Sequence, residues 1–189
     1  MFGILRLTGI ALSMALATNA MAAAVPSTGG LPPWHFEMTP QEVKAFTNYG
    51  PYKSFGNGDL ETYAGLFDGR KENVQFFFKD GKLARIGVYL YEGQDIKAAA
   101  DVWGKTYKSL KEKFGEIELP DIRVVSGDAA LTAEVVAAAA GANVSATGKS
   151  QMAPRKQTSD VFLFASFRRE EVMGQPFYYV TVYYDPPRR

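Results

Sequence analysis

Cysteine is absent from the chain, and histidine occurs once, at His35. The first absence excludes disulfides, thiol nucleophiles and thiolate metal sites together. The second leaves a Ser/His/Asp relay with one candidate base and a metal site with little beyond carboxylates. Neither sign of charge dominates, since 21 Lys+Arg face 20 Asp+Glu over 189 residues. A balanced chain without a basic block lacks the electrostatic footprint of phosphate-backbone binding, so nucleic acid is not an expected partner. With 47% hydrophobic and 22% charged residues, the composition is that of an ordinary globular protein and excludes a disordered chain or a coiled coil.

The apolar run over residues 7–16 is shorter than the roughly 20 residues that a membrane-spanning helix needs. Arg6 precedes it, and Asn19-Ala20-Met21-Ala22-Ala23-Ala24 follows it. Such a pattern is that of a secretory signal, with Ala20 and Ala22 as the small residues before a cut after Ala22. Ala22 and Ala24 offer a second register. Residues 1–22 are therefore expected to be removed and 23–33 to form a flexible start. One domain is expected over 34–185, with 186–189 as a tail. No cysteine follows the apolar run, so no lipid anchor is expected, and the destination is the periplasm or the exterior.

Thr39-Pro40-Gln41-Glu42 has the form of a capping box with proline at the first helical position, and Gly50-Pro51 is a stop. Together they predict a helix over 40–48. Asp68-Gly69 and Asp80-Gly81 separate β-rich runs over 60–67, 73–79 and 82–91, which predicts a meander of three strands, with a further short strand near 52–55. Ile96, Ala99, Trp103, Tyr107, Leu110 and Phe114 recur every three or four residues behind Asp95, and predict a helix over 95–114. A short strand is expected over 122–126, an Ala-rich helix over 131–140, a mobile polar loop over 142–159, and a hairpin over 161–167 and 177–184. Helix followed by strands occurs twice, without an internal repeat in the residues. The fold class read from this is α+β, an antiparallel sheet of five or six strands with two helices packed on one face.

Phe36-Glu37-Met38-Thr39-Pro40-Gln41-Glu42-Val43, Tyr49-Gly50-Pro51 and the hairpin Val74 to Ile86, written as aromatic strand, Asp80-Gly81-Lys82-Leu83 and apolar strand, resemble the SmpA/OmlA group of small envelope proteins. That group shares a helix-then-sheet module with the β-lactamase inhibitory protein. The resemblance covers residues 34–91, and implies an envelope protein that binds other proteins without catalysis. SmpA/OmlA members are typically anchored through an N-terminal Cys, which this chain lacks, and the predicted helix over 95–114 and C-terminal hairpin lie outside the match. It carries over fold and general role only.

Motifs for chemistry are sparse. Gly148-Lys149-Ser150 resembles the end of a phosphate-binding loop, but Asn143 stands where the first glycine is required. His35 follows Trp34 and Pro32-Pro33, and no G-x-S-x-G turn exists to give it a nucleophile. Asp59/Glu61 and Glu116/Glu118/Asp121 lack the spacing of a calcium loop. No metal, cofactor or catalytic residue is assigned. Glu61, Glu92 and Asp185 are candidates in principle for a glycan hydrolase with paired carboxylates, the alternative reading.

Alternation in the strand over 82–91 puts Ala84, Ile86, Val88 and Leu90 on the core face and Arg85, Tyr89 and Tyr91 on the other. The same rule sends Phe77, Tyr63, Phe67, Tyr179 and Tyr183 outward. Tyrosine, phenylalanine and arginine on one sheet face is the composition of a recognition surface, because rings supply contact area at low rotamer entropy. The alternative is a second layer over that face, from the Ala-rich helix or the proline-rich start. The expected function is non-catalytic protein binding in the envelope, as an inhibitor, an immunity protein or an assembly factor, with another envelope or periplasmic protein as partner.

Overall fold

The computed structural model describes residues 29–122 and 131–187. Its architecture is α+β: three helices and an antiparallel sheet of eight strands, with a separate two-stranded ladder. The ladder pairs β1 (Gly30–Leu31) with β2 (Trp34–His35). Leu31, Trp34, Phe36 and Met38 are buried, so this N-terminal stretch forms part of the core.

Helix α1 (Pro40–Lys44) begins at the capping box, with Thr39 and Glu42 each accepting from the other's backbone. It is shorter than the sequence suggests, because a 3-10 turn, Thr47–Tyr49, replaces its last part before Gly50. Strands β3 (Lys53–Ser54), β4 (Leu60–Phe67), β5 (Arg70–Lys79) and β6 (Lys82–Gly93) follow. Asp68-Gly69 and Asp80-Gly81 hold positive φ at both residues, the requirement of a two-residue hairpin whose twist matches that of the strands. Helix α2 (Ile96–Phe114) is capped by Asp95, which accepts from the Lys97 and Ala98 amides.

Beyond α2 the structure departs from expectation. The edge strand there is β7 (Ile117–Glu118), and the strand expected over 122–126 falls almost wholly outside the described residues. Helix α3 (Ala133–Thr147) runs seven residues past the predicted end at residue 140, since Gly141 is tolerated inside it. The expected mobile loop is occupied by the end of α3 and by β8 (Lys149–Pro154). Strands β9 (Phe162–Val172) and β10 (Gln175–Asp185) complete the sheet.

The strand order is β3-β4-β5-β6-β10-β9-β8-β7, so four strands in chain order meet four more in reverse at the β6–β10 pair. The sheet is thus built twice, and its halves are related by a local two-fold at the centre. Phe76, between Leu60 and Ile86, occupies the place that Phe167 holds between Ser150 and Val180, and both rings are fully buried.

All the helices lie on one face. Trp103 of α2 packs 5.9 Å from Phe167, and Trp34 meets Phe76 at 4.8 Å and Tyr49 at 4.9 Å. Helices α2 and α3 approach closely at Gly104, where a Cβ would stand 2.6 Å from the Ala133 carbonyl oxygen. Among the described residues the opposite face carries no second layer. The Ala-rich helix and the proline-rich segment, both available to cover it, are on the core side.

Candidate functional site

Three β-bulges decide which side chains reach the uncovered face. Between Tyr89, paired with Thr181, and Tyr91, paired with Val180, Leu90 is an extra residue. Leu90 and Tyr91 therefore both turn to the helix side, and Tyr91 accepts a hydrogen bond at its hydroxyl from the Asp95 amide, 3.1 Å away. A second irregularity between Thr62 and Gly65 turns Phe67 inward, where it is buried and lies under Lys113. A third makes Ala84 the extra residue and puts Leu83 in the core. Tyr91 and Phe67 are thus corrected: both belong to the helix side. Tyr63, Phe77, Arg85, Tyr89, Tyr179 and Tyr183 stand on the outer face, where Tyr63 is 65% exposed but neighbouring side chains leave Tyr89 only 9% and Tyr183 only 7% exposed.

Alternation in β9 sends Leu163, Ala165 and Phe167 inward, which leaves Phe162, Phe164, Ser166 and Arg168 outward. These four escaped the sequence reading, although the same rule applied to β9 finds them. Phe164 stacks on Tyr183 at 5.1 Å and 26°, Tyr89 meets Tyr179 edge-on at 6.2 Å, and Phe177 lies 5.1 Å from Tyr179. Burial, with Tyr183 beside it, pushes ionisation of the Tyr89 hydroxyl far above the ordinary phenol range.

Two arginines are set among these rings. Arg85 donates through Nε and Nη2 to the two carboxylate oxygens of Asp185, both at 2.6 Å, and its guanidinium lies 5.1 Å from the Tyr183 ring centroid. The two-point pairing holds Arg85 charged beyond even the usual guanidinium range, against the opposing effect of burial. Arg168 pairs with Glu170 at 3.1 Å, donates to the Tyr183 hydroxyl at 3.3 Å and lies over Tyr179. Lys149 stands directly opposite Arg168, so three cations meet the carboxylates of Asp185, Glu170 and Glu118 at this end. Between these groups an open hollow of about 520 Å³ lies above Gln151, Phe164 and Ser166.

The other end is acidic. Asn73 Nδ2 donates both to Glu61 Oε1, at 3.1 Å, and to Glu92 Oε2, at 2.9 Å. Gln75 Nε2 adds a second donor to Glu61 Oε1 at 3.1 Å. Glu61 and Glu92 are therefore held together, whereas Asp185 is engaged by Arg85 at the opposite end. Five buried side-chain polar atoms lack a hydrogen-bond partner among the described residues: Glu61 Oε2, Asn73 Oδ1, Arg168 Nε, Thr181 Oγ1 and Trp103 Nε1. The first four lie on the outer face, and Trp103 is in the core.

Of the remaining sequence candidates, Lys149 and Glu118 border the hollow beside Arg168, and the others sit apart from it. His35 is exposed on β2, its Nδ1 2.9 Å from the Phe36 carbonyl oxygen. Gly148 ends α3 in the left-handed conformation and Lys149-Ser150 begins β8, the reverse of the strand-to-helix order of a phosphate loop. Glu116 and Glu118 pair with Arg155, and Asp121 accepts from the Gln151 amide. No group of three or more His, Cys, Asp or Glu placed to hold a metal ion occurs among the described residues, and none of their helices is long and apolar enough to cross a membrane. Compared with protein-family models, curated proteins and solved structures, the chain matches none.

Proposed function

We propose that the outer face of the sheet is a protein-recognition surface and that the chain is an exported, non-catalytic binding protein of the envelope, either an inhibitor or immunity protein or an assembly factor. One observation carries the reading. The uncovered face holds the aromatic and arginine set together with four of the five unpartnered buried polar atoms. Buried donors and acceptors in native proteins are nearly always satisfied, so their concentration on one bare face fits a surface completed by a polar partner. Rings flanked by arginine are also the residue types that dominate binding energy at protein interfaces. The signal pattern over residues 1–22 and the resemblance of residues 34–91 to the SmpA/OmlA module support the envelope side of the reading. Pull-down from envelope extract with the mature protein tests it, compared with single Tyr179→Ala and Tyr183→Ala variants and the double variant, each checked for folding by circular dichroism and thermal unfolding. Specific capture lost in the variants is the expected result. Equal capture by all of them would move recognition off this face.

The Glu61 and Glu92 pair favours a second reading. Two carboxylates bridged by one amide, on an open aromatic face, have the residue types that a glycan hydrolase employs. Turnover of peptidoglycan by the mature protein, abolished in Glu61→Gln, would establish it.

A further inference from the structure

We propose that Glu61, Asn73 and Glu92 form a receptor for an arginine side chain of the protein partner. This rests on the protein-binding reading above and specifies the partner's chemistry at the acidic end of the face.

The donors and acceptors at this end are out of balance. Asn73 is 6% exposed and commits its amide nitrogen to both carboxylates, while its Oδ1 accepts from no described residue. Glu61 takes two amide hydrogen bonds at Oε1 and none at Oε2, although its side chain is only 5% exposed, and its carboxylate also interacts with the Tyr63 hydroxyl. Two deeply placed acceptors are left over, beside two negative charges. Lys53 is the nearby cation, but its Nζ is 3.6 Å from Glu61 Oε2, its side chain is 67% exposed, and it sits on the two-residue edge strand β3. A loosely held surface lysine neither satisfies Asn73 nor balances Glu92.

The shape of the missing group follows from what remains unpaired. Glu92 is at the exposed side of the cluster and Glu61 at its base, and the left-over oxygens of Glu61 and Asn73 are shielded from solvent, so a group arriving on the outer face meets Glu92 first and reaches them only as the exposed Lys53 and Tyr63 side chains swing aside. Tyr63, 65% exposed beside Glu61, offers a ring on which a planar cation can lie. A guanidinium carries five donors in a rigid fork and so reaches several acceptors at once, whereas an ammonium is a compact point charge. A divalent metal fits less well, because the amide nitrogen of Asn73, which cannot ligate, is the atom turned toward the carboxylates.

The probe for this receptor is N-acetyl-arginine amide, titrated into the 15N-labelled mature protein, with the neutral N-acetyl-citrulline amide and calcium chloride as separate arms. The arginine probe should shift the Asn73 and Gln75 side-chain amide signals saturably, and the citrulline probe should not. Glu92→Gln should weaken the effect about fivefold or more, and Lys53→Ala, which removes the competing cation, should strengthen it. Both substitutions are at exposed positions and leave the core intact. Equal response to citrulline, response to calcium alone, or no response overturns the proposal. Failure of the arginine probe while partner capture still depends on Tyr179 and Tyr183 removes this inference and leaves the protein-binding reading standing. A response without any capture does the reverse, and leaves a bare guanidinium site.

Discussion

The Tyr183 ring lies across Gly87, its cross-strand partner, so closely that a Cβ at position 87 would stand 3.1 Å from Tyr183 Cε1 and 3.3 Å from Phe77 Cε2. A bare backbone here lets two rings meet over the strand and sets the height at which Arg85 rests against Tyr183. Gly87→Ala should displace these rings by a few tenths of an ångström while leaving the helix side untouched. The expected cost in stability is about 1 kcal/mol, with a larger proportional loss of partner capture. Thermal unfolding and binding, measured on the same preparation, check it; unchanged binding would show that ring height does not matter.

Tyr91 and Tyr179 should separate stability from recognition. Tyr91 packs on the helix side and accepts from the amide of the residue that caps α2, so Tyr91→Ala should cost about 2 kcal/mol or more in denaturant unfolding and leave capture unaltered. Tyr179→Ala, on the outer face, should do the opposite. Loss of capture in Tyr91→Ala at full stability would contradict the bulge at Leu90.

Trp103 is fully buried in α2 against Phe167. Replacement by alanine leaves a void that the surrounding sheet cannot fill, and should cost about 3 to 5 kcal/mol. A loss below about 1 kcal/mol by urea titration would place the indole at the surface.

Two glycines give predictions of opposite sign. At Gly104 a Cβ would lie 2.6 Å from a backbone oxygen of α3, so Gly104→Ala must push the helices apart, at about 1 to 3 kcal/mol. At Gly141 the nearest atom to a Cβ is the Ala100 methyl at 3.6 Å, an ordinary contact. Gly141→Ala should therefore raise stability by about 0.5 to 1 kcal/mol through helix propensity alone. Melting temperatures of the two variants, moving in opposite directions, are the check.

The elements legible in the sequence are those whose signals are local. Thr39 and Glu42 announce a cap, Asp68-Gly69 and Asp80-Gly81 announce turns, and the stripe through Trp103 announces α2, because each depends on residues a few positions apart. The Met173-Gly174 turn, which also holds positive φ at both residues, was less visible, since methionine rarely adopts that conformation. Residues 149–154 read as a loop because β8 is short and polar, and only pairing with β9 makes it a strand. Within the site, Tyr89, Tyr179 and Tyr183 followed from alternation, while Phe67 and Tyr91 did not.

By itself, then, the sequence determined the α+β class, the cap, the principal turns and the apolar stripe of α2, since these arise from backbone preference and side-chain period within one element. Tertiary structure alone decided the eight-strand order, the two-fold arrangement of the sheet, the bare outer face and the meeting of Glu61, Asn73 and Glu92. The physical reason is register: one extra residue in a strand reverses the facing of every residue beyond it, and where that residue goes is fixed by the partner strand.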